Sequence, residues 1–140
     1  MTSFVDAAIF MYTIGAEHPL KASCRAVIRQ IKEGQVDAAT SVEVVQEILH
    51  RYRSVGRPDL ARALSQDVMD TFAPLLPVTH AVMRRVSVLS DRYPSLSSRD
   101  LVHVATCIVE GIETIITPDA GFDRVSEVRR IDPREFAVER

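Results

Sequence analysis

Apolar and polar positions along this chain switch repeatedly between two periods, and that switching predicts most of its elements. Ser3-Phe4-Val5 is a short apolar run that reads as a strand closed by Asp6, and residues 7–14 then read as a helix. His18-Pro19 breaks that segment, and a second helix is expected over about 20–33, with Gly34 as its stop. Residues 36–40 read as a strand. A long helix follows over about 42–55, ended by Gly56; the next carries Pro58 in its first turn and runs to about Phe72. A short strand is expected over 75–78 and a helix over 80–92, interrupted by Tyr93-Pro94-Ser95. Another helix covers 97–111, then come a strand over 114–117, a turn over 118–122 and a last strand over 128–131. Repeated strand–helix–strand order predicts an α/β fold: three layers, α/β/α, around a central, mainly parallel sheet.

Size and composition narrow the class without naming a function. At 140 residues the chain is expected to form one domain, 1–140, with a core large enough to need no staples. Its 46% apolar and 26% charged residues are those of a soluble globular protein. A net charge of −2 argues against binding nucleic acid by bulk charge, although clustered acids would mask basic residues elsewhere. Of seventeen basic residues only Lys21 and Lys32 are lysines, and the arginine excess suits phosphate contacts as readily as it reflects coding bias. Cys24 and Cys107 lie far apart inside apolar-periodic stretches and read as buried thiols, not as a zinc site. Asp6 interrupts the first apolar run, so no signal peptide is read there, and no apolar run nears the roughly 18 residues of a membrane span. A cytoplasmic protein is expected.

In parallel sheets of this kind, ligands bind beyond the carboxyl ends of the strands. Asp6 follows the first strand and Asp119 the strand over 114–117, while Asp100 lies in the first turn of one helix and Glu47 inside another. Carboxylates gathered at one strand-end crevice repel each other unless a divalent cation neutralises them, and hard oxygen ligands suit magnesium or manganese. If the four converge, at least one of their pKa values should be raised. Each acid also has a plainer reading. Asp6 and Asp119 can cap the turns after their strands, and Ser97-Ser98-Arg99-Asp100 resembles a capping box. On a helical wheel Val45, Ile48, Leu49 and Tyr52 form an apolar stripe, leaving Glu47 on the solvated side within reach of Arg51.

The motifs around the four acids bear a family resemblance. Phe4-Val5-Asp6-Ala7-Ala8-Ile9-Phe10-Met11-Tyr12 resembles the opening strand and first acid of PIN domains. Thr40-Ser41 followed by Glu47 is similar to their strand-end hydroxyl and second acid, and Ser98-Arg99-Asp100-Leu101-Val102-His103-Val104-Ala105 to their third motif. Thr117-Pro118-Asp119 with Phe122 resembles the fourth, and order and spacing agree from residue 2 to about Ile131. Gly15-Ala16-Glu17-His18-Pro19-Leu20 further resembles the toxin branch known as VapC. One departure stands out: Ala7 and Ala8 follow Asp6 where the family often has Thr or Ser and then Asn, so Asp6 lacks a polar partner there.

The resemblance implies that Asp6, Glu47, Asp100 and Asp119 hold magnesium or manganese and hydrolyse phosphodiester bonds of single-stranded RNA, a transfer or ribosomal RNA in the family. Thr117 would hydrogen-bond within the site. His103, three residues after Asp100, reads as an outer ligand, a substrate contact or a partly buried, satisfied histidine. Arg99 reads as a phosphate contact or a solvated arginine, and Asp123 as an extra acid or a surface residue. The resemblance also implies a cognate antitoxin protein with a basic tail, and a homodimer. Apolar positions on more than one face of the helices over 42–55 and 58–72 suit either a partner groove or packing of the two helices on each other. The alternatives are a catalytically silent PIN-like module or a nuclease without an antitoxin. A response-regulator receiver fails because both lysines precede residue 40, and a haloacid-dehalogenase-type phosphatase because Ala8 stands where its second Asp belongs. Neither a phosphate-binding Gly-x-x-x-x-Gly-Lys loop nor a Gly-x-Ser-x-Gly elbow is present.

Overall fold

The computed structural model describes residues 1–137. Its strands are β1 (Ser3–Val5), β2 (Ala38–Ala39), β3 (Thr114–Ile116) and β4 (Arg129–Ile131), in one sheet of order β2-β1-β3-β4. Every pairing is parallel, with Phe4 opposite Ala39 and Ile115, and Ile115 opposite Arg130. The helices are α1 (Ala7–Ile14), α2 (Lys21–Lys32), α3 (Val42–Ser54), α4 (Pro58–Thr71), α5 (His80–Arg92), α6 (Ser98–Glu110) and α7 (Arg134–Ala137), with a 3-10 turn over Ala120–Arg124. The chain steps from β1 outward to β2, then returns across β1 to β3. With right-handed crossovers, that reversal puts α1–α2 on one face of the sheet and α3–α6 on the other, giving the three layers.

The centre of the sheet is dry. Phe4, Val5, Ile115 and Ile116 are fully buried, with Ile9, Val27, Val44, Ile48 and Phe122 packed around them. Two polar side chains sit in this layer without cost because they pair: the hydroxyls of Ser3 and Thr114 lie 2.7 Å apart across β1 and β3. Phe10 and Phe72 meet edge to face at 5.5 Å and tie α1 to the end of α4. Cys24 and Cys107 are free and buried, and burial pushes both thiols up to about 12.

Three expectations change. The segment over 75–78 is not a strand; it makes a single parallel bridge, with Leu76 N donating to Thr40 O and Val42 N to Leu76 O. Pro77 has no N–H to continue the ladder, and Pro74 stands on the other side. The expected strand over 36–40 is confined to Ala38–Ala39. Helix α7 was not foreseen, although its signal is present. Asp132 Oδ1 accepts from Arg134 N at 2.9 Å while Glu135 reaches back to Asp132 N at 3.2 Å, a pairing like a capping box, with Pro133 just ahead of the helix.

Helices α3 and α4 pack on each other. Val44, Val45, Ile48, Leu64 and Val68 are buried, whereas Val42, Val55 and Met69 are exposed. The apolar surplus of these two helices thus goes mainly into packing within the chain. Among the described residues no helix is long and apolar enough to cross a membrane.

Candidate active site

The reversal of strand order opens a crevice beyond the carboxyl ends of β1 and β3. Asp6 is the residue immediately after β1 and Thr117 the one immediately after β3. Asp6 caps α1, its Oδ1 accepting from Ala7 N at 2.7 Å, while its Oδ2 accepts from the Thr117 hydroxyl at 2.7 Å. Thr117 therefore supplies the polar partner that Ala7 and Ala8 do not. The same hydroxyl accepts from Asp119 N at 3.1 Å, so one side chain positions two of the four expected acids. On the far side of β1, the Thr40 hydroxyl donates to Val5 O at 2.8 Å and fixes the last peptide before Asp6.

Glu47 does not point to solvent. Its side chain is 20% exposed and lies against His103, with Oε1 3.0 Å from the imidazole Nε2. Arg99, half-exposed, stands 4.0 Å from the other carboxylate oxygen, and no pairing with Arg51 forms. His103 is fully buried rather than partly so, and it is only half satisfied. Nε2 is shared between Glu47 and Asp6 Oδ1 at 3.6 Å, while Nδ1 has no partner among the described residues. Ligand atoms of Asp6, Glu47 and His103 all lie within 4.8 Å of one another.

The electrostatics bear the mark of crowded acids. Burial raises the Asp6 carboxyl above the usual carboxylate range; His103 and Thr117 pull it down, and Glu47 pushes it further up. Asp100 is pushed up to about 6, first by burial and then by the charges of Asp6 and Asp119, with His103 and the Ser97 hydroxyl opposing. Asp100 and Asp119 thus belong to the same electrostatic neighbourhood. Burial works against the cationic form of His103, but the hydrogen bond to Glu47 and the charges of Asp6, Glu47 and Asp100 outweigh it, and its pKa is raised. The surrounding carboxylates thus favour the protonated form of the imidazole, as they would favour any cation placed among them.

The plainer readings hold in part. Ser97 caps α6 by accepting from Asp100 N at 3.1 Å, and Asp119 Oδ1 accepts from Gly121 N at 2.8 Å at the start of the 3-10 turn. Asp123 is a surface residue bound to Arg130, with contacts of 2.9 and 3.2 Å. Arg130, which the sequence reading passed over, also donates to Thr117 O at 3.2 Å and to Asp132 at 3.2 Å, bracing the peptide of the threonine that holds Asp6. The available signal was a pair of arginines, Arg129-Arg130, inside a short strand.

A sequence profile of the PIN domain matches residues 3–128. The chain belongs to the PIN-domain family. Within that family it stands with the VapC ribonucleases. Ribonuclease VapC23 of Mycobacterium tuberculosis (strain ATCC 25618 / H37Rv) is 37% identical over 117 residues, covering 83% of this chain and 91% of that protein. VapC ribonuclease Mb1869c of Mycobacterium bovis is 29% identical over 127 residues, covering 91% and 97%.

Solved structures agree on the PIN fold. VapBC2 from Rickettsia felis, bound to a DNA fragment from their promoter, matches with a TM-score of 0.75 at 15% identity, over 94% of this chain and 98% of that one. FitAcB from Neisseria gonorrhoeae matches with a TM-score of 0.74 at 18% identity, over 96% and 99%. At such identities the likeness speaks for the fold alone.

Proposed function

We propose that this chain, as a single PIN-like domain over 1–140, is an endoribonuclease hydrolysing RNA phosphodiester bonds, with Asp6, Glu47, Asp100 and Asp119 holding magnesium or manganese. The observation that carries this reading is the setting of Asp6. It sits at the switch point of a parallel sheet, buried, with one oxygen oriented by Thr117, with Glu47 opposing its ionisation and with its own charge opposing that of Asp100. The donor set fits a hard divalent cation, because it is rich in carboxylate oxygens and its members repel each other without one. A cation held there supplies an activated water and positive charge against the phosphate under attack.

The chain's own residues do the rest by position. Thr117 holds the Asp6 carboxylate through Oδ2 and the Asp119 backbone through its N–H, so both acids keep fixed directions. His103 contacts Glu47 from inside the core and orients its carboxylate. Arg99, at the mouth of the site, is placed to receive a backbone phosphate of the substrate.

The relatives are VapC ribonucleases, and two solved neighbours, a complex from Klebsiella pneumoniae and VapBC-5 from Mycobacterium tuberculosis, belong to toxin–antitoxin systems. We extend both properties to this chain: a cytoplasmic toxin, homodimeric, that cuts a transfer or ribosomal RNA and is silenced by a cognate antitoxin. A basic side chain of that antitoxin entering the carboxylates would form charge-assisted, bidentate hydrogen bonds. The test is incubation of structured RNA with the purified chain in magnesium, manganese or excess chelator. Cleavage in metal that stops in chelator is expected; RNA bound but intact in all three would leave a silent binding module. Growth arrest on expression, relieved by the adjoining antitoxin gene, tests the toxin assignment separately.

A further inference from the structure

A groove of about 720 Å³ opens beside the acids, between α1 and α3, and Glu47 and Arg99 line its inner end. We propose that it is a subsite for one unpaired nucleotide of an RNA strand, the base seated against Tyr12 and Tyr52 and a phosphate on Arg51 and Arg99. The inference rests on the ribonuclease reading and names the part of the substrate that the chain grips.

Size, surface and charge support it together. The volume lies within the roughly 300–1,000 Å³ that encloses a ligand of nucleotide size. Tyr12 and Tyr52 are partly exposed in the groove; Tyr12 lies 4.6 Å from the His18 ring and Tyr52 reaches the Met11 carbonyl at 3.5 Å, so both rings are braced. Small residues, Ala8, Gly15 and Ala16, line the same groove and leave room for a flat base. Aromatic faces accept any base, and a paired base offers no free face to them.

The arginines on the groove wall suit a phosphate. Of the two acids that line the groove, Glu17 is paired with Lys21 at 3.6 Å and Glu47 with His103 at 3.0 Å. Arg51 has no ion-pair partner among the described residues, and Arg99 has only the 4.0 Å approach to Glu47. The groove therefore presents two guanidinium groups beside the acids, which can hold the phosphates of an anionic strand.

The test is fluorescence anisotropy with a labelled eight-nucleotide single-stranded RNA in chelator, where binding is read without cleavage. Tyr12→Leu should weaken binding roughly tenfold, the loss of one base stack. Arg51→Gln, on the surface, should weaken it and lower the salt slope by about 0.7, the loss of one phosphate contact on a single strand. The same sequence as a duplex should bind more weakly than the single strand. No binding by the wild-type chain, or equal binding by both variants, overturns the proposal. So does an arginine-rich peptide that binds more tightly than the RNA and depends on Tyr12. Cleavage in manganese is read in parallel. Wild-type cleavage with an unchanged KM in Tyr12→Leu would remove the subsite and leave the nuclease. Tyr12-dependent binding without any cleavage would do the reverse.

Discussion

The hydroxyl of Thr117 donates to Asp6 Oδ2 across 2.7 Å, joining the carboxyl ends of two neighbouring parallel strands through two buried side chains. Asp6 begins one helix and Thr117 leads into the turn that carries Asp119, so this contact sets the mutual position of two acids 113 residues apart in sequence.

Thr117→Val keeps the shape of the side chain and deletes both hydrogen bonds. It should destabilise the chain by about 1–3 kcal/mol, since a buried carboxylate oxygen and a backbone N–H lose their partner. RNA cleavage should fall at least tenfold, while Thr117→Ser should restore most of both. Denaturant midpoints and cleavage rates of the two variants check this together.

The acids on strand ends were legible because a parallel sheet dictates where its strands point. Asp6 and Asp119 follow apolar runs, and no three-dimensional knowledge is needed to place them near one edge. Glu47 was harder. A stripe drawn through Val45, Ile48, Leu49 and Tyr52 leaves it outside, yet the buried arc of α3 is Val44, Val45 and Ile48, and Glu47 lies on the flank of that arc. The choice between those two stripes depends on what packs against the helix, which the sequence of α3 alone does not contain. The contact between His103 and Glu47 was illegible for a similar reason: the two lie on different helices, 56 residues apart. Resemblance named the acid at 47; only tertiary packing gave it a partner.

Asp100 makes the crowding measurable. Its carboxyl titrates near 6 in the folded chain against an ordinary value of 3.8. A raised carboxyl is harder to ionise when folded than when unfolded, so the cost to stability is absent below about pH 4, grows up to about pH 6 and is complete above. Asp100→Asn should therefore raise the melting temperature at pH 7.5 without metal by several degrees, corresponding to roughly 1–3 kcal/mol. The gain should vanish at pH 4, and stabilisation by manganese should shrink in the variant. A variant that melts lower at pH 7.5 would show that Asp100 is chiefly a helix-cap residue.

Asp132 should respond with the opposite sign. Hydrogen bonds from Arg134 and Arg130 outweigh its burial and hold its carboxyl well below the usual range. Its stabilising contribution is complete above the unfolded value near 4 and is lost as pH falls below that. Asp132→Asn should lower the melting temperature at pH 7 and flatten its decline on acidification. Because α7 packs on α2, exchange protection of the amides of α7 should drop first.

The most direct test of the central claim is the rate of RNA cleavage by the wild-type chain, Asp6→Asn and Asp100→Asn, each measured in manganese and in excess chelator. If these carboxylates hold the cation, wild-type cleavage should stop in chelator and both variants should lose at least about a hundredfold in manganese, with their folds intact by circular dichroism. Cleavage that persists in chelator, or that both variants retain in manganese, would contradict the account.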